Sequence, residues 1–392
     1  MPDTAARVQC PGCQSDRLET FFRTGSMPVH CNVLHDSAAA ARETPRGDIE
    51  LGFCSACGLI YNTAFDASLL TYTGDYENSL HFSARFQAYA EELAARLTEQ
   101  HGLDGKTVLE IGCGKGDFLT LLAAGGRNRC VGFDSSYEGH GDDAGIEVQR
   151  TFWDPARATE VGADLVACRH VLEHIEQPAE FVRSVANATA GAALYFEVPD
   201  ALYTLRDLGI WDIIYEHCSY FAAPALARVF EAQGLVPQNL TSSFGGQFLS
   251  IETAGRATSA AGLAAASSAT SLDELRGLVG AFANEHRAKV EHWSRMLDDD
   301  LDAGRKVVAW GAGSKGVTFL NTVARGDEIC GIVDINTRKL GRFVAGTGQQ
   351  IVSPDQLPGM GVDVVLIMNP NYRTEIEQQL SDLGLRPRIE VV

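Results

Sequence analysis

The stretch KTVLEIGCGKGDF, Lys106 to Phe118, decides how the chain is read. Val108, Leu109 and Ile111 form the apolar run of a buried strand. Gly112, Gly114 and Gly116 then turn the chain toward a helix that begins near Asp117. Apolar runs of the same kind recur at Cys130–Phe133, Asp164–Cys168 and Ala193–Val198, separated by helix-like segments. Strands alternating with helices predict a parallel, doubly wound α/β sheet, whose ligands bind beyond the carboxyl ends of the strands. Before this unit, YTGDYENSLHFSARF (Tyr72 to Phe86) leads into a helix with apolar positions at Phe86, Tyr89, Ala90, Leu93 and Leu97. That segment reads either as a linker or as a lid placing Tyr76 and His81 over a pocket.

Beyond the sheet, residues 253–271 are rich in Ala, Ser, Gly and Thr and predict a flexible joint. A long amphipathic helix follows, with Leu275, Leu278, Phe282, Val290, Trp293, Leu297 and Leu301 at helical spacing. It should pack against a domain or against a second copy of itself. From Lys306, VVAWGAGSKGVTFL begins a second strand–turn–helix and predicts a small half-Rossmann unit.

The 392 residues exceed one ordinary core and suggest two or three domains. A composition of 45% hydrophobic and 21% charged residues describes a globular protein. With a net charge of −19 and no run of lysines or arginines, a nucleic-acid partner is not expected. Neither a stretch of about 18 apolar residues nor a charged-then-apolar leader is present, so the expectation is a cytoplasmic protein without a membrane span.

Four of the ten cysteines form the pairs Cys10–Cys13 and Cys54–Cys57, in CPGC and CSAC. Two such knuckles can complete a tetrahedral thiolate shell for a structural zinc, with no position left open for catalysis. Gly12 and Gly58 permit the tight turns. A redox pair would need a thioredoxin-like setting that the chain lacks.

Two glycine turns could each hold a nucleotide-like ligand. Gly311, Gly313 and Gly316 fit the dinucleotide spacing, with Asp334 as a ribose acid. The first turn instead carries Glu110 and Asp117 around its glycines, which repel a pyrophosphate and suit a cation. S-adenosylmethionine carries a sulfonium and an ammonium, so the first turn reads as its site, with Asp134 placed for the ribose hydroxyls. The second turn is left to the nucleotide end of a substrate, to docking, or to no ligand.

These residues resemble a known family. VLEIGCGKGDF with Asp134 and CRHVLEHI is similar to class I S-adenosylmethionine-dependent methyltransferases. The wider order of Cys-x-x-Cys module, this core, the EH…YF segment, GGQF and GAGSKG resembles the sugar C-methyltransferases that act on nucleotide-linked keto-deoxysugars. The resemblance implies a Rossmann-like core at 72–252 between a zinc module at 1–71 and a joint with its helix at 253–304. A C-terminal Rossmann-like domain at 305–392 completes the chain. It implies that Glu110, Gly112, Gly114, Gly116 and Asp134 hold the cofactor, and that Arg169 and His170 border the sulfonium or the substrate. Phe152 and Trp153 either flank the adenine or pack in the core.

The chemistry then needs a base beside a ketone and a donor for the enolate oxygen. The resemblance places His217 as the base with Glu216 beside it, and Tyr76 and His174 near the reacting oxygen; His174 alternatively caps its turn. The family pattern Tyr-His-Glu-His is here Ile214-Tyr215-Glu216-His217, so either Tyr215 takes over a substrate contact or the substrate differs. NSLHF at Asn78–Phe82 and MNPNYR at Met368–Arg373 depart as well. The competing readings are O- or N-methylation of another small molecule, a non-catalytic S-adenosylmethionine- or nucleotide-binding scaffold, and a nicotinamide-dependent oxidoreductase built on the second turn.

Overall fold

Three sheets organise the protein, a computed structural model of which describes residues 9–70, 76–124, 127–139, 145–254 and 270–392. The central sheet has seven strands: β4 (Thr107–Ile111), β5 (Arg129–Phe133), β6 (Ile146–Gln149), β7 (Leu165–Arg169), β8 (Ala193–Pro199), β10 (Pro237–Ser243) and β11 (Phe248–Thr253). Their spatial order is β10-β11-β8-β7-β4-β5-β6. β4 to β8 run parallel, and β11 pairs antiparallel with both β8 and β10. Val108, Leu109, Val131, Leu165 and Val166 are fully buried, as strands covered on both faces require. The strand order reverses between β4 and β7, which opens a crevice at Gly112 and His170.

The N-terminal sheet is antiparallel: β1 (Leu18–Pro28), β2 (Arg46–Cys54), β3 (Ile60–Asn62) and, from far along the chain, β9 (Ser219–Tyr220). The cysteine module is therefore joined to the central unit by a shared sheet. Sequence periodicity gave no hint of this, because a two-residue strand has no period to read. The C-terminal sheet is parallel throughout, in the order β14 (Ile351–Val352), β13 (Ile332–Val333), β12 (Val307–Trp310), β15 (Val364–Ile367), β16 (Arg388–Val391).

The amphipathic helix spans Leu272–Asp302, started by Ser271, whose side chain accepts from the Glu274 amide. Its buried stripe includes Leu275, Phe282, Trp293 and Leu297. Phe282 meets Phe21 and Phe22 of β1, with ring centroids 6.0 and 5.3 Å away, while Trp293 meets Phe319 of the C-terminal unit at 6.1 Å. The helix thus fastens two units of its own chain together. Of the expected joint before it, residues 255–269 lie outside the described residues. No described helix is long and apolar enough to cross a membrane.

Candidate active site

At the end of β4 the glycine turn needs its glycines for different reasons. Gly112 has φ +70°, and a Cβ there would lie 2.3 Å from Val171 Cγ2. Gly114, at φ +55°, has nothing within 4 Å of a built Cβ, so its backbone faces open space. Its amide donates to Asp134 Oδ2 at 2.8 Å, and the Ser136 amide and hydroxyl donate to Oδ1 at 2.8 and 2.7 Å. Gly116, at φ +83°, caps the helix Asp117–Ala123. Below the turn Glu110 is buried, and its Oε2 has no hydrogen-bond partner. Burial pushes its carboxyl up to about 8; Arg169 opposes the shift, while Asp134, Asp117 and Glu197 add to it. An orphaned acid beside an open, glycine-lined backbone fits a cationic ligand.

At the ends of β7 and β8 stands a buried charge network that sequence reading missed in part. Glu197 is fully buried on β8 and accepts from Arg169 Nε at 3.1 Å, from the Tyr195 hydroxyl at 2.8 Å and from the Tyr89 hydroxyl. Burial disfavours its charge, but Arg169 and His170 hold its carboxyl below the usual range. Arg169 binds this acid through Nε and lies over the Phe118 ring, 4.2 Å from its guanidinium carbon, while its Nη2 makes no hydrogen bond among the described residues; it does not line the cavity. It anchors the strand ends. His170 does line the cavity, held at φ +55° with Nε2 3.2 Å from Glu197 and Nδ1 3.7 Å from Glu173. Burial works against its charge, yet the two acids push it up to about 9. An acid in the fifth strand of the sheet, at Glu197, was the sequence signal for this network.

The cavity itself lies between the central and C-terminal units. Tyr76, His170, Glu173, His174, Ile214 and His217 form part of its lining on one side. A turn at Tyr215 and Glu216 in WDIIYEHCSYF separates the side chains that reach it from those that do not. Ile214 and His217 point in. Tyr215 points to the N-terminal module, where its hydroxyl accepts from the Asp66 amide at 2.8 Å and its ring stacks on Phe65 at 5.5 Å. Glu216 also faces away, fully buried, with Oε2 accepting from the Cys31 amide at 2.9 Å and Oε1 3.2 Å from His30 Nδ1. Tyr215 therefore does not replace a substrate-facing tyrosine, and Glu216 positions the segment without touching the cavity. His217 lies edge-on to His174, with ring centroids 5.0 Å apart. Burial, with His174, His170 and Lys315 nearby, holds its imidazole well below 6.5, in the neutral form a base requires.

Of the aromatic pair, Phe152 is 68% exposed and free to cover a ligand. Trp153 is committed to packing: its Nε1 donates to Ser184 at 2.9 Å and its ring contacts Phe133 and Phe181. Gly112, Gly114 and Asp134 are not part of the cavity lining, but Ser79 is, and its hydroxyl reaches Asp117 at 3.0 Å. His81, in the same segment, is half-buried against Phe86, at 5.1 Å.

The opposite cavity wall is the second glycine turn, with Gly311, Gly313, Ser314, Lys315, Asp334 and Lys339. Asp334 is fully engaged, accepting from the amides of Ala312 at 2.9 Å and Asn336 at 2.8 Å, with Lys339 Nζ 3.7 Å away. Lys315 pairs with Asp212 at 2.6 Å, bridging the C-terminal unit to the segment that carries His217. GGQF meets MNPNY across the same seam: Gln247 and Asn369 exchange hydrogen bonds of 2.8 and 3.0 Å. Away from the cavity, the sulfurs of Cys10, Cys13, Cys54 and Cys57 all lie within 4.8 Å of one another. An ion with metal–sulfur bonds of about 2.3 Å requires sulfurs about 3.8 Å apart, so the set fits zinc.

Residues 82–240 match a family model described as a methyltransferase domain, and residues 250–386 one described as a C-methyltransferase C-terminal domain. Over 388 residues the chain is 27% identical to C-methyltransferase NovU of Streptomyces niveus, covering 94% of this chain and 91% of that protein. The chain belongs to the S-adenosylmethionine-dependent C-methyltransferases. The C-methyltransferase is also similar to proteins that match a smaller part of it. It is 34% identical over 110 residues to a ubiquinone biosynthesis O-methyltransferase of Hahella chejuensis, covering 26% of this chain and 46% of that protein. Among solved structures it is similar to magnesium protoporphyrin IX methyltransferase (ChlM) from Synechocystis PCC 6803 with bound SAH. That likeness has 18% identity and a TM-score of 0.34, over 46% of this chain and 89% of that one. The C-methyltransferase's central sheet is the class I Rossmann-like sheet, and its cofactor is S-adenosylmethionine.

Proposed function

We propose that this enzyme methylates a carbon next to the ketone of a nucleotide-linked keto-deoxysugar, with His217 as the base that forms the enolate. The observation that carries the proposal is a neutral, half-buried imidazole at His217, beside His174, in a cavity whose far wall is a glycine turn with two lysines. Glu110, Gly112, Gly114 and Asp134 would hold S-adenosylmethionine, which when bound supplies an activated methyl group. His217 removes the proton from the carbon and leaves its electron pair there as an enolate. Tyr76 and His174 would donate hydrogen bonds to the enolate oxygen as charge develops on it. Once the carbon has taken the methyl, the ketone reforms and His217 passes its proton to water.

Lys315, Lys339 and the amino end of the helix Ser314–Thr322 would take the pyrophosphate of the nucleotide. The Cys10, Cys13, Cys54 and Cys57 set would hold one structural zinc, locking the module from which Cys31 and His30 reach Glu216. The likeness to NovU, a C-methyltransferase, supports the carbon as acceptor. Methylation of oxygen would draw on a relative that matches 26% of this chain, and it would give the C-terminal turn no task.

The test is to supply methyl-labelled cofactor with a nucleotide-linked keto-deoxysugar and locate the label by NMR. A new carbon–carbon bond beside the ketone is expected; a label on oxygen or nitrogen overturns the proposal. His217→Ala should lower turnover by about 10²–10⁴-fold while cofactor binding, read by calorimetry, is retained.

A further inference from the structure

Next to the base lies a buried acid that the proposed reaction does not use. Glu173 is 1% exposed, and neither of its carboxylate oxygens accepts a hydrogen bond. The nearest cation is His170, whose Nδ1 stays 3.7 Å from Oε1, beyond hydrogen-bond reach. A buried carboxylate left in that condition costs free energy, and native proteins ordinarily give it a partner.

One carboxylate oxygen of Glu173 and one ring nitrogen each of His174 and His217 lie within 4.8 Å of one another. A cation bound at about 2.0–2.2 Å from each donor needs them roughly 3–4 Å apart, so closure requires only side-chain adjustment. All three residues line the cavity, which leaves further coordination positions on the open side. The cluster is separate from the four cysteines and differs from them in chemistry. Two imidazoles and one carboxylate suit divalent cations such as Zn²⁺, Co²⁺ or Ni²⁺ better than Mg²⁺ or Ca²⁺. His170 brings positive charge to the other side of Glu173, which weakens the site and makes occupancy depend on metal concentration.

We propose that Glu173, His174 and His217 form a second metal site, for a divalent transition-metal ion, whose occupancy silences the enzyme by taking the lone pair of His217. The site stands on the cluster alone; its silencing role rests on the reading of His217 as the base. A metal bond and a proton compete for the same electron pair, so a metal-bound His217 removes no proton from carbon.

The test uses the zinc-loaded full chain, dialysed against micromolar Co²⁺, with both metals quantified per chain. The wild type is expected to keep its zinc and gain about one equivalent of Co²⁺, whereas Glu173→Gln and His174→Ala gain none. Retained S-adenosylmethionine binding certifies that the variants are folded. No added Co²⁺ in the wild type, or the same gain in both variants, overturns the site. Turnover of a keto-deoxysugar should fall in proportion to Co²⁺ bound and return after brief chelation. Turnover that rises or stays level as Co²⁺ fills the site overturns the silencing role. The metal count needs no sugar, so failure of the substrate assignment would not be mistaken for failure of the site.

Discussion

The two glycine turns share a backbone plan and differ in what they do with acid. In the first, Glu110 is buried with an orphaned oxygen, and Asp134 receives only backbone amides and a hydroxyl. In the second, Asp334 receives two amides and the approach of Lys339, and Lys315 adds a further cation at the cavity. One turn therefore offers acids with no lysine paired to them among the described residues, and the other an acid matched by lysines. A glycine spacing alone announces only that backbone can approach a ligand. The charges set around it decide which ligand approaches.

The sharpest way to break this contrast is to swap which turn is damaged. Asp134→Ala should weaken S-adenosylmethionine binding on the order of 100-fold, since hydrogen bonds to a charged group are worth about 1.5–3 kcal/mol each. Nucleoside diphosphate binding should be unchanged. Lys315→Ala should do the reverse, weakening the nucleotide about tenfold and sparing the cofactor. Calorimetry with each ligand reads both, and a variant that weakens both ligands equally would erase the division of labour.

A smaller effect sharpens the same point through pH. The Glu110 carboxyl sits above its ordinary 4.5, at about 8, so it is protonated in the free protein at neutral pH. A cationic ligand favours the carboxylate, so binding releases a proton and affinity should rise with pH up to about 8, then level off. The expected gain is up to about tenfold per pH unit, and Glu110→Gln should flatten it. Affinity that is level in the wild type from about pH 6 to 8 would remove Glu110 from cofactor recognition.

The smallest effect belongs to Tyr215. Removing its hydroxyl deletes contacts to the Asp66 backbone at 2.8 and 3.3 Å, worth about 1 kcal/mol of stability. Tyr215→Phe should lower Tm by roughly 2 °C and leave turnover within about twofold. A large loss of turnover without loss of stability would return Tyr215 to the substrate.

Much of the sheet was readable because buried parallel strands write themselves as apolar runs, as at Val108–Ile111 and Ala193–Val198. The cysteine pairs and both glycine turns were readable because their spacing is local. What stayed hidden depends on contacts between distant parts of the chain. The pairing of Tyr61 with Ser219 makes the cysteine module share a sheet with the central unit, and nothing local encodes it. The inward or outward aim of Tyr215, Glu216 and His217 follows from that pairing, so the segment's composition alone could not separate the base from its supports. Glu197 and Glu173 were overlooked for a related reason. A single acid within an apolar run reveals its burial only once the neighbouring strand ends are in place.

The account rests on His217 drawing a proton from carbon. Incubating the enzyme with a nucleotide-linked keto-deoxysugar and S-adenosylhomocysteine in deuterated water isolates that step from methyl transfer. Wild-type protein should exchange the hydrogen next to the ketone for deuterium, as read by NMR, and His217→Ala should not. Exchange by His217→Ala at the wild-type rate would contradict the assignment of the base.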